Sequence, residues 1–516
     1  MPIENWQVSK PVARSPRGVV AAQNWRAAQA GAEVLEAGGN AVDAAVATAC
    51  ALAVAEPWMS GLGGCGYMVV HSAAAQSVQV VEFGTVAPLA LDPAAYPLRS
   101  EAGADHDLFG WPGVEGERNV RGPLSLGVPG SVAGFALALA RFGSLPWAEV
   151  LAPAIALAEQ GHVVDWWTTL MVARDAAALR ENPAAAAVYL PEGLPPVATE
   201  IGKLKLDLGR LPETLRRLAE AGPEDFYRGA LAEALVADVA ALGGVLSAED
   251  LAGYEADVVA PRTARRGEAR IHLPPGLTAG PSFAEALEAL GPIAAGTPGP
   301  EAFAAYARAL TEAYRRRLAE IGHDGDLAGQ ASTTHVSVAD AEGNLVALTN
   351  TLLSPFGAKV VSPGTGVLLN NGIMWFDPRP GRPNSIAPGK RPLCNMCPLV
   401  ATRDGRPWFA LGGSGGRRIL PAVFQVASFL IDGGLPLEAA VRQPRINVDG
   451  GPEVEVDPRL GDAVAKAIAE ALPIRLVEAV LTPNHYANPV IALHDGAACE
   501  GAAQLPSPVA AAVAVR

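Results

Sequence analysis

The chain has 516 residues, of which 50% are hydrophobic, and its formal net charge at pH 7 is −14. That much apolar material is enough for a large buried core. The acidic balance excludes a typical nucleic-acid-binding protein, which needs a basic surface, so no nucleic acid is expected as a partner.

The longest apolar stretch, residues 44–55, lies between Asp43 and Glu56. It is too short to span a bilayer and is typical of a buried helix, so no membrane partner is expected. Residues 1–7 contain neither the basic region nor the apolar core of a secretory signal. Their composition favours a cytoplasmic location.

Alanine-rich patterns with helical periodicity dominate the first two-thirds of the chain. Residues 25–36 form the first predicted helix, and Asn40, with Asp43 three residues later, caps a second that ends at about Ala55. The glycines that follow, within residues 61–67, lack the Lys-Ser/Thr pair of a phosphate loop. Close backbone packing is therefore their expected role, before a strand over 68–71. Further helices are predicted over 131–143, 146–160, 212–220, 230–242 and 300–319, and a long polar surface loop over 100–121.

The pattern changes at about residue 333. Residues 335–340 and 345–350 alternate between apolar and polar side chains around a turn at 341–344, which predicts a β-hairpin. Residues 377–392 are rich in proline and glycine and predict a loop.

A short strand is predicted over 408–411. It leads into a glycine-rich turn, Gly412 to Gly416, and then into a helix over 417–431. Helices mixed with strands and hairpins are typical of a layered α/β protein in one compact unit.

Five cysteines are present: Cys50, Cys65, Cys394, Cys397 and Cys499. An odd, sparse set does not form a disulfide framework. Cys394 and Cys397 make a C-x-x-C pair, but no second Cys or His pair stands at zinc-ligand spacing, so no metal is expected. Two small side chains packed in a loop are the preferred interpretation of this pair.

The stretch Ser332-Thr-Thr-His335 begins the first strand of the hairpin. A threonine hydroxyl is a poor nucleophile, but a threonine at the start of a chain can use its own α-amine, with a pKa of ~7.7–8.0, as the base. A precursor would first have to break the 332–333 bond with the same hydroxyl. Because threonine is common in strands, these residues alone do not decide the function.

Two further features support a catalytic interpretation. Thr351 lies at the end of the partner strand, where its hydroxyl can orient that of Thr333. The junction of strand, glycines and helix at 412–416 is suited to an oxyanion hole, because backbone N–H groups near a helix N-terminus stabilise negative charge. An ordinary tight turn is the alternative interpretation of these glycines.

Several motifs, in the same order along the chain, resemble the γ-glutamyltranspeptidases. The resemblance runs from about residue 17 to residue 450. The motifs are Arg17–Ala21, Glu36–Ala45, Leu62–Tyr67, Gly127–Gly134, Gly243–Leu251, Thr333–His335, Leu368–Asn371, Lys390–Leu393 and Gly412–Gly416.

The resemblance implies a four-layer αββα sandwich and a precursor that cuts itself between Ser332 and Thr333. Residues 1–332 would form a large subunit and residues 333–516 a small one, in one compact unit. By position, Thr333 is the nucleophile of a covalent acyl-enzyme, Thr351 its orienting partner, and Gly415 and Gly416 the oxyanion donors. No metal or organic cofactor is implied. The implied partners are a small-molecule amide, a water or amine acceptor, and the two subunits themselves; a higher oligomer stays open.

The sequence departs from the family where the substrate's amino-acid group would bind. A glycine, Gly84, stands in place of the arginine that holds the α-carboxylate. The other polar positions of the family's pocket are also changed, to Leu353, Gly372, Trp375, Cys394 and Asn395. Residues 375–380 stand where a new wall of the acyl pocket would be. Arg379 could replace the lost arginine, although an arginine on an exposed loop is the preferred interpretation.

The retained machinery and the changed pocket predict an amidohydrolase or acyltransferase with a non-γ-glutamyl acyl specificity. The family contains such branches, for example cephalosporin acylases and oxamate amidohydrolases. One alternative is a genuine γ-glutamyl hydrolase or transpeptidase, acting on glutathione-like donors with a rebuilt clamp. The other is a non-catalytic scaffold, against which the intact Thr333, Thr351 and Gly415-Gly416 argue.

Overall fold

A computed structural model describes residues 9–99, 111–200, 202–321, 332–482 and 485–516. Two seven-stranded sheets form its centre, and neighbouring strands in both are antiparallel. The first sheet has the order Ala13–Ser15, Cys499–Ala503, Asn488–His494, Arg406–Ser414, Leu399–Arg403, Ala269–Leu273, Arg262–Arg266. The second has the order Ala511–Ala514, Gly18–Ala22, Ser332–Asp340, Leu345–Leu353, Cys65–Ser72, Ser77–Phe83, Asp257–Val259.

Smaller elements complete the strands. One small sheet joins Ile446–Asn447, Val454–Val456 and Ile474–Leu476, and another joins His162–Val163 and Lys205–Leu206. The α-helices are Trp25–Glu36, Ala41–Ala55, Ser131–Phe142, Trp147–Gln160, Trp166–Leu179, Pro183–Tyr189, Leu211–Ala221, Asp225–Arg228, Ala230–Ala241, Ala248–Ala252, Gly280–Ala289, Pro300–Ile321, Ile419–Ile431, Leu437–Arg442 and Asp462–Ala469. Short 3₁₀ turns include Glu115–Glu117, Gly372–Trp375 and Gly416–Arg418.

Three apolar clusters show how the layers pack. One joins the second sheet to helices that include Ala41–Ala55 and Ser131–Phe142. Another joins the first sheet to helices that include Pro300–Ile321 and Ile419–Ile431. The third lies between the sheets, and we call it the inter-sheet cluster; it includes Val19, Tyr67, Val69, Val80, Ala347, Val400, Ala410 and Ala492. The molecule is therefore the four-layer αββα sandwich that the sequence predicted.

The helix Ala41–Ala55 illustrates how local sequence sets a layer. The Asn40 side chain accepts N–H bonds from Val42 and Asp43, and the Asp43 carboxylate accepts the Asn40 N–H, so the predicted cap is present. Every residue of this helix is buried, because the helix lies between the second sheet and other helices. No helix in the part of the chain that the structure describes is long and apolar enough to cross a membrane.

The predicted glycine packing is also confirmed. A Cβ on Gly64 would lie 2.5 Å from the carbonyl oxygen of Thr351, and one on Gly66 would lie 2.1 Å from that of Thr349. The strand Cys65–Ser72 pairs directly with Leu345–Leu353, so side chains at these two glycines would push the pair apart.

The helices predicted over residues 25–36, 41–55, 131–143, 146–160, 212–220, 230–242 and 300–319 are present with small shifts at their ends, as is the hairpin. Several helices were missed, among them Gly280–Ala289, Asp462–Ala469 and the adjacent pair Trp166–Leu179 and Pro183–Tyr189. The caps of that pair were readable, since Asp165 and Asn182 each accept an N–H bond from the first turn.

Two expectations were wrong in detail. Residues 100–110 lie outside the described residues. Residues 111–121 are irregular and include exposed positions, as expected, but Trp111, Val114 and Asn119 are buried, so the loop is only partly on the surface. The glycine-rich turn is also shorter than predicted. The strand Arg406–Ser414 continues through its first three residues, because the strand Asn488–His494 pairs with them.

Candidate active site

The hydroxyl groups of Thr333 and Thr351 meet on neighbouring strands of the second sheet. Their oxygen atoms are 3.3 Å apart, within hydrogen-bonding distance, and both residues are buried. Leu353 follows Thr351 by two residues and belongs to the inter-sheet cluster. Because side chains alternate along a strand, Thr351 faces the same way, toward the space between the sheets.

A loop that begins at Leu353 holds Thr351 in place. The Leu353 N–H donates to the Thr351 hydroxyl oxygen at 2.8 Å, which fixes the orientation of that side chain. Leu353 has a φ of 83°, and Phe356 and Lys359 have φ values of 58° and 61°. Such left-handed conformations are strained for residues other than glycine, and strain of this kind clusters at functional sites.

His335 lies two residues after Thr333 but has structural partners. Its Nδ1 is 2.8 Å from the Thr349 hydroxyl and its Nε2 is 3.0 Å from the Ser337 hydroxyl. Burial lowers the pKa of His335 to about 3, so the ring is neutral at ordinary pH. Since both ring nitrogens are within hydrogen-bonding distance of other hydroxyls, His335 stabilises the strand and is not positioned as the base for Thr333.

Gly415 and Gly416 form the turn after the strand Arg406–Ser414. Their φ values are 136° and 60°, both in the range that favours glycine. A Cβ on Gly415 would also lie 2.9 Å from atoms of Ala487. Gly415 lines one cleft with Pro355, four residues after Thr351, so the turn lies at the same end of the sandwich as the hydroxyl pair. The helix Ile419–Ile431 begins just beyond.

Three of the changed pocket positions come together in the structure. Leu353, Trp375 and Cys394 all belong to the inter-sheet cluster, with Tyr67, Trp111, Met374 and Met396 among their partners. The indole nitrogen of Trp375 is buried and has no hydrogen-bond acceptor among the described residues. An apolar wall thus stands at the positions where the resemblance predicts a polar clamp.

Gly372 and Gly84 flank Thr85. A Cβ on Gly372 would lie 2.8 Å from the Thr85 hydroxyl oxygen, so that hydroxyl fills the space of a side chain there. At Gly84, a Cβ would lie 2.9 Å from the Tyr67 hydroxyl and 3.4 Å from a nitrogen of Arg391. The guanidinium of Arg391 donates to the Gly84 carbonyl at 2.8 Å. A cation from another part of the chain therefore lies beside the position that lost its arginine.

Arg379 and Asn395 have different surroundings from those expected. The Arg379 side chain is only 22% exposed and lies 2.7 Å from the carboxylate of the buried Asp377. The interpretation of Arg379 as an exposed loop arginine was therefore wrong, and its charge is already paired. Asn395 is buried, and its amide nitrogen has no acceptor among the described residues.

The cysteines are all buried and free of disulfides. Burial raises the pKa of Cys394 to about 12 and raises that of Cys397 further, so both thiols stay protonated. Cys394 packs in the inter-sheet cluster and Cys397 in the cluster on the far side of the first sheet. The pair is a packing feature, as the sequence predicted.

Sequence reasoning missed a buried lysine in the loop after Thr351. The Lys359 ammonium donates to the Ser354 hydroxyl at 2.9 Å and to the Gly357 carbonyl at 3.1 Å, and it lies 3.6 Å from the Asp175 carboxylate. Burial lowers the pKa of Lys359. The available signal for this site was a lysine within the run Phe356–Val361. Arg391 was also missed as a pocket residue, because the sequence places it only within the motif Lys390–Leu393.

Comparison with known proteins agrees with this geometry. The Gamma-glutamyltranspeptidase family profile matches residues 27–328 and 321–476. The chain belongs to the γ-glutamyltranspeptidase family. It is an enzyme of the N-terminal-nucleophile amidohydrolase type, as the sequence predicted.

Relatives within the γ-glutamyltranspeptidase family include both acylases and glutathione hydrolases. The Acylase ACY 1 proenzyme of Pseudomonas sp. (strain V22) is 36% identical over 93% of this chain and 90% of its own length. The Glutathione hydrolase proenzyme of Escherichia coli (strain K12) is 31% identical over 84% of this chain and 81% of its own. The crystal structure of cephalosporin acylase from Bacillus halodurans covers 100% of this chain and 99% of its own, with 26% identity and a TM-score of 0.84.

Proposed function

We propose that the chain is a precursor that cleaves itself between Ser332 and Thr333 and then hydrolyses a small amide through an acyl-enzyme on Thr333. The observation that carries this proposal is the Thr333–Thr351 hydroxyl pair at the end of the sandwich where the Gly415 turn lies. Residues 1–332 and 333–516 would remain together after cleavage, because strands from both pieces pair within each sheet.

Each step of the proposed turnover uses a group of this chain. The Thr333 hydroxyl oxygen attacks the amide carbonyl carbon, and the new α-amine of Thr333 accepts its proton. Backbone N–H groups at Gly415 and Gly416 stabilise the oxyanion. The C–N bond then breaks, the proton passes to the leaving nitrogen, and water or a second amine releases the acyl group by the same route.

The acyl specificity follows from the apolar wall. A γ-glutamyl group carries an α-carboxylate and an α-ammonium, and burying either without a partner costs several kcal/mol. None of Leu353, Trp375 and Cys394 carries a charge that could pair with either group. We therefore assign the pocket to an acyl group that is uncharged, or charged at a different place.

Arg391 favours a second candidate, a γ-glutamyl hydrolase with a rebuilt clamp. Its guanidinium lies beside Gly84, where a substrate carboxylate would otherwise lack a cation. Several relatives are named glutathione hydrolases, including that of Escherichia coli.

The test is to compare γ-glutamyl-4-nitroanilide with butyryl-4-nitroanilide on the purified protein, alongside Arg391→Gln. Faster turnover of the butyryl compound, unchanged in the variant, is expected. Turnover of the γ-glutamyl compound alone, lost in Arg391→Gln, would establish the second candidate. An unprocessed, inactive chain on a denaturing gel would support the non-catalytic scaffold. Fractionation of expressing cells tests the expected cytoplasmic location.

A further inference from the structure

Lys359 stands where both its backbone and its side chain are unfavourable. Its φ of 61° lies in the left-handed region, which glycine adopts without strain and lysine does not. Its side chain is only 9% exposed, and burying an ammonium group costs free energy unless the group is paired. A lysine at this position is therefore explained by what its side chain binds. We call residues 353–359 the Thr351 loop.

The Lys359 ammonium connects the two ends of a tight turn within the Thr351 loop. It donates to the Ser354 hydroxyl oxygen at 2.9 Å and to the Gly357 carbonyl oxygen at 3.1 Å. The Ser354 hydroxyl donates to the same Gly357 carbonyl at 3.0 Å. The ammonium also lies 3.6 Å from the Asp175 carboxylate, on the helix Trp166–Leu179. The turn is thus connected through one side chain to a helix outside the two sheets.

The same turn leads back to the hydroxyl pair. The Asn371 amide accepts the Ser354 N–H at 3.2 Å and donates to the Ser354 hydroxyl at 2.8 Å. Leu353, the residue before Ser354, has a φ of 83° and donates its N–H to the Thr351 hydroxyl at 2.8 Å. That hydroxyl lies 3.3 Å from the hydroxyl of Thr333. A strained backbone keeps its conformation only while its neighbours fix it, so freeing Ser354 would release Leu353 from Thr351.

We propose that Lys359 is a positioning residue for the reaction at Thr333. Its ammonium fixes Ser354, and this keeps the Leu353 N–H on the Thr351 hydroxyl, which orients the nucleophile. Lys359 acts through these contacts and takes no part in bond breaking. For its place in the reaction, this assignment rests on the proposed function.

The test is a double-mutant cycle on kcat, with the wild-type protein, Lys359→Met, Thr351→Val and the combined variant. The substrate is whichever of the two anilides the wild-type protein hydrolyses, and rates are divided by the cleaved fraction on a denaturing gel. We expect Lys359→Met to lower kcat at least about fivefold. In the Thr351→Val background the same substitution should change kcat less than about twofold, because its effect passes through the hydroxyl already removed.

A role of Lys359 in stability alone predicts a different outcome, since its effect on kcat would then be the same with and without the Thr351 hydroxyl. Equal effects in the two backgrounds, or a wild-type kcat in Lys359→Met, would overturn the proposal. Each measurement is repeated with Lys359→Met/Asp175→Leu, which leaves no unpaired carboxylate buried, and should give the same result.

Val361→Ala is the control for a loss of packing beside the Thr351 loop. Val361 is buried in an apolar cluster that joins Phe356 to the helices Trp166–Leu179 and Pro183–Tyr189. We expect this variant to have a lower thermal stability and an unchanged kcat. A kcat as low as that of Lys359→Met would show that packing, and not the ammonium, orients the site.

Hydrogen exchange tests the positioning step without any reaction. The two chains are Thr333→Ala and Thr333→Ala/Lys359→Met, compared by mass spectrometry with fragmentation that resolves single amides. The Leu353 amide should exchange at least about tenfold faster in the second chain, and the Val346 amide, in the middle of the same paired strand, at an equal rate in both.

Equal exchange of the Leu353 amide in the two chains would overturn the proposal. Because this measurement needs no turnover, its outcome is separate from that of the proposed function. A Leu353 amide that is released by Lys359→Met, in a protein that cleaves no amide, would contradict the proposed function and leave the effect of Lys359 on the Thr351 loop established.

Discussion

The hydroxyl oxygens of Thr333 and Thr351 lie 3.3 Å apart across two paired strands, beside a shift in the pairing register between Ser332 and Thr334. Such a bulge takes one residue out of the regular ladder and re-aims its side chain. Between the pairs Ser332–Leu353 and Thr334–Asn350, the single residue Thr333 lies opposite two residues, Thr351 and Leu352, so the extra residue is on the strand of Thr351. The local irregularity therefore accompanies the hydroxyl that we assign as the nucleophile.

Thr333→Ala should remain a single 516-residue chain, because the hydroxyl that attacks the 332–333 bond is gone. The wild-type protein should give two fragments on a denaturing gel, and the smaller should begin Thr-Thr-His-Val on terminal sequencing. Thr334→Ala is the matched control, since its hydroxyl bonds to Ser60 instead. Cleavage of Thr333→Ala at the same bond would refute the mechanism.

Thr351→Val removes one hydroxyl at nearly constant volume. We expect cleavage and amide turnover each to slow by at least about fivefold, since a buried hydroxyl partner is worth ~1 kcal/mol or more. Time courses on a denaturing gel and initial rates measure the two effects. Thr402→Val, a buried threonine on the strand Leu399–Arg403, is the control. Wild-type rates for both processes in Thr351→Val would remove Thr351 from the site.

The sequence predicted the parts of the site that depend on neighbours in the chain. Asn40 and Asp43 predict the start of a helix, and the alternation after Thr333 predicts a hairpin. Both signals are local, because helix caps and strand faces involve residues a few positions apart. The nucleophile, its partner and the glycine turn came from ordered motifs of the family.

Contacts between distant segments could not be predicted in this way. Arg391 contacts Gly84 across 307 positions. Lys359, on a loop, lies 3.6 Å from Asp175, which is on a helix that was not predicted. Such pairs depend on how layers stack, and neither local periodicity nor charge patterning records that stacking.

His335 should make the free energy of unfolding depend on pH. Its folded pKa is about 3, below the ordinary value of 6.5, so below pH 6.5 the unfolded chain binds a proton that the folded chain does not. The contribution of the neutral His335 ring to the free energy of unfolding is complete above pH 6.5 and is lost as the pH falls toward 3. Other buried groups also titrate, so the useful quantity is a difference between two proteins.

The comparison is between Thr333→Ala and Thr333→Ala/His335→Asn, both single chains that are not cut at residue 333. Denaturant unfolding should show the His335 chain losing about 2 kcal/mol between pH 7 and pH 5 relative to the asparagine chain. A pH-independent difference would mean that His335 is not neutral in the folded protein.

Lys359→Met should destabilise the loop that follows Thr351. The substitution leaves the Asp175 carboxylate, whose pKa burial raises, without its cation, and breaking a buried pair costs about 3–5 kcal/mol. Replacing both residues, as Lys359→Met/Asp175→Leu, should recover much of that loss. A double-mutant cycle in the Thr333→Ala chain, measured by denaturant unfolding, checks this. Additive effects would show that the two residues are not coupled.

Gly415→Ala tests the proposed oxyanion turn through the backbone. At φ 136° a Cβ would lie 2.9 Å from Ala487, so the alanine can be accommodated only if the turn moves and takes its N–H groups with it. Loss of an oxyanion donor costs ~10²–10³ in rate. We expect cleavage and turnover to fall by that order.

The control is Gly405→Ala, at φ 76° in the turn before the strand Arg406–Ser414, where a Cβ would meet no atom within 4 Å. Both variants force alanine into a left-handed conformation, so a similar loss of thermal stability with a rate loss in Gly415→Ala alone assigns the effect to the turn. Equal rates in the two variants would place the oxyanion donors elsewhere.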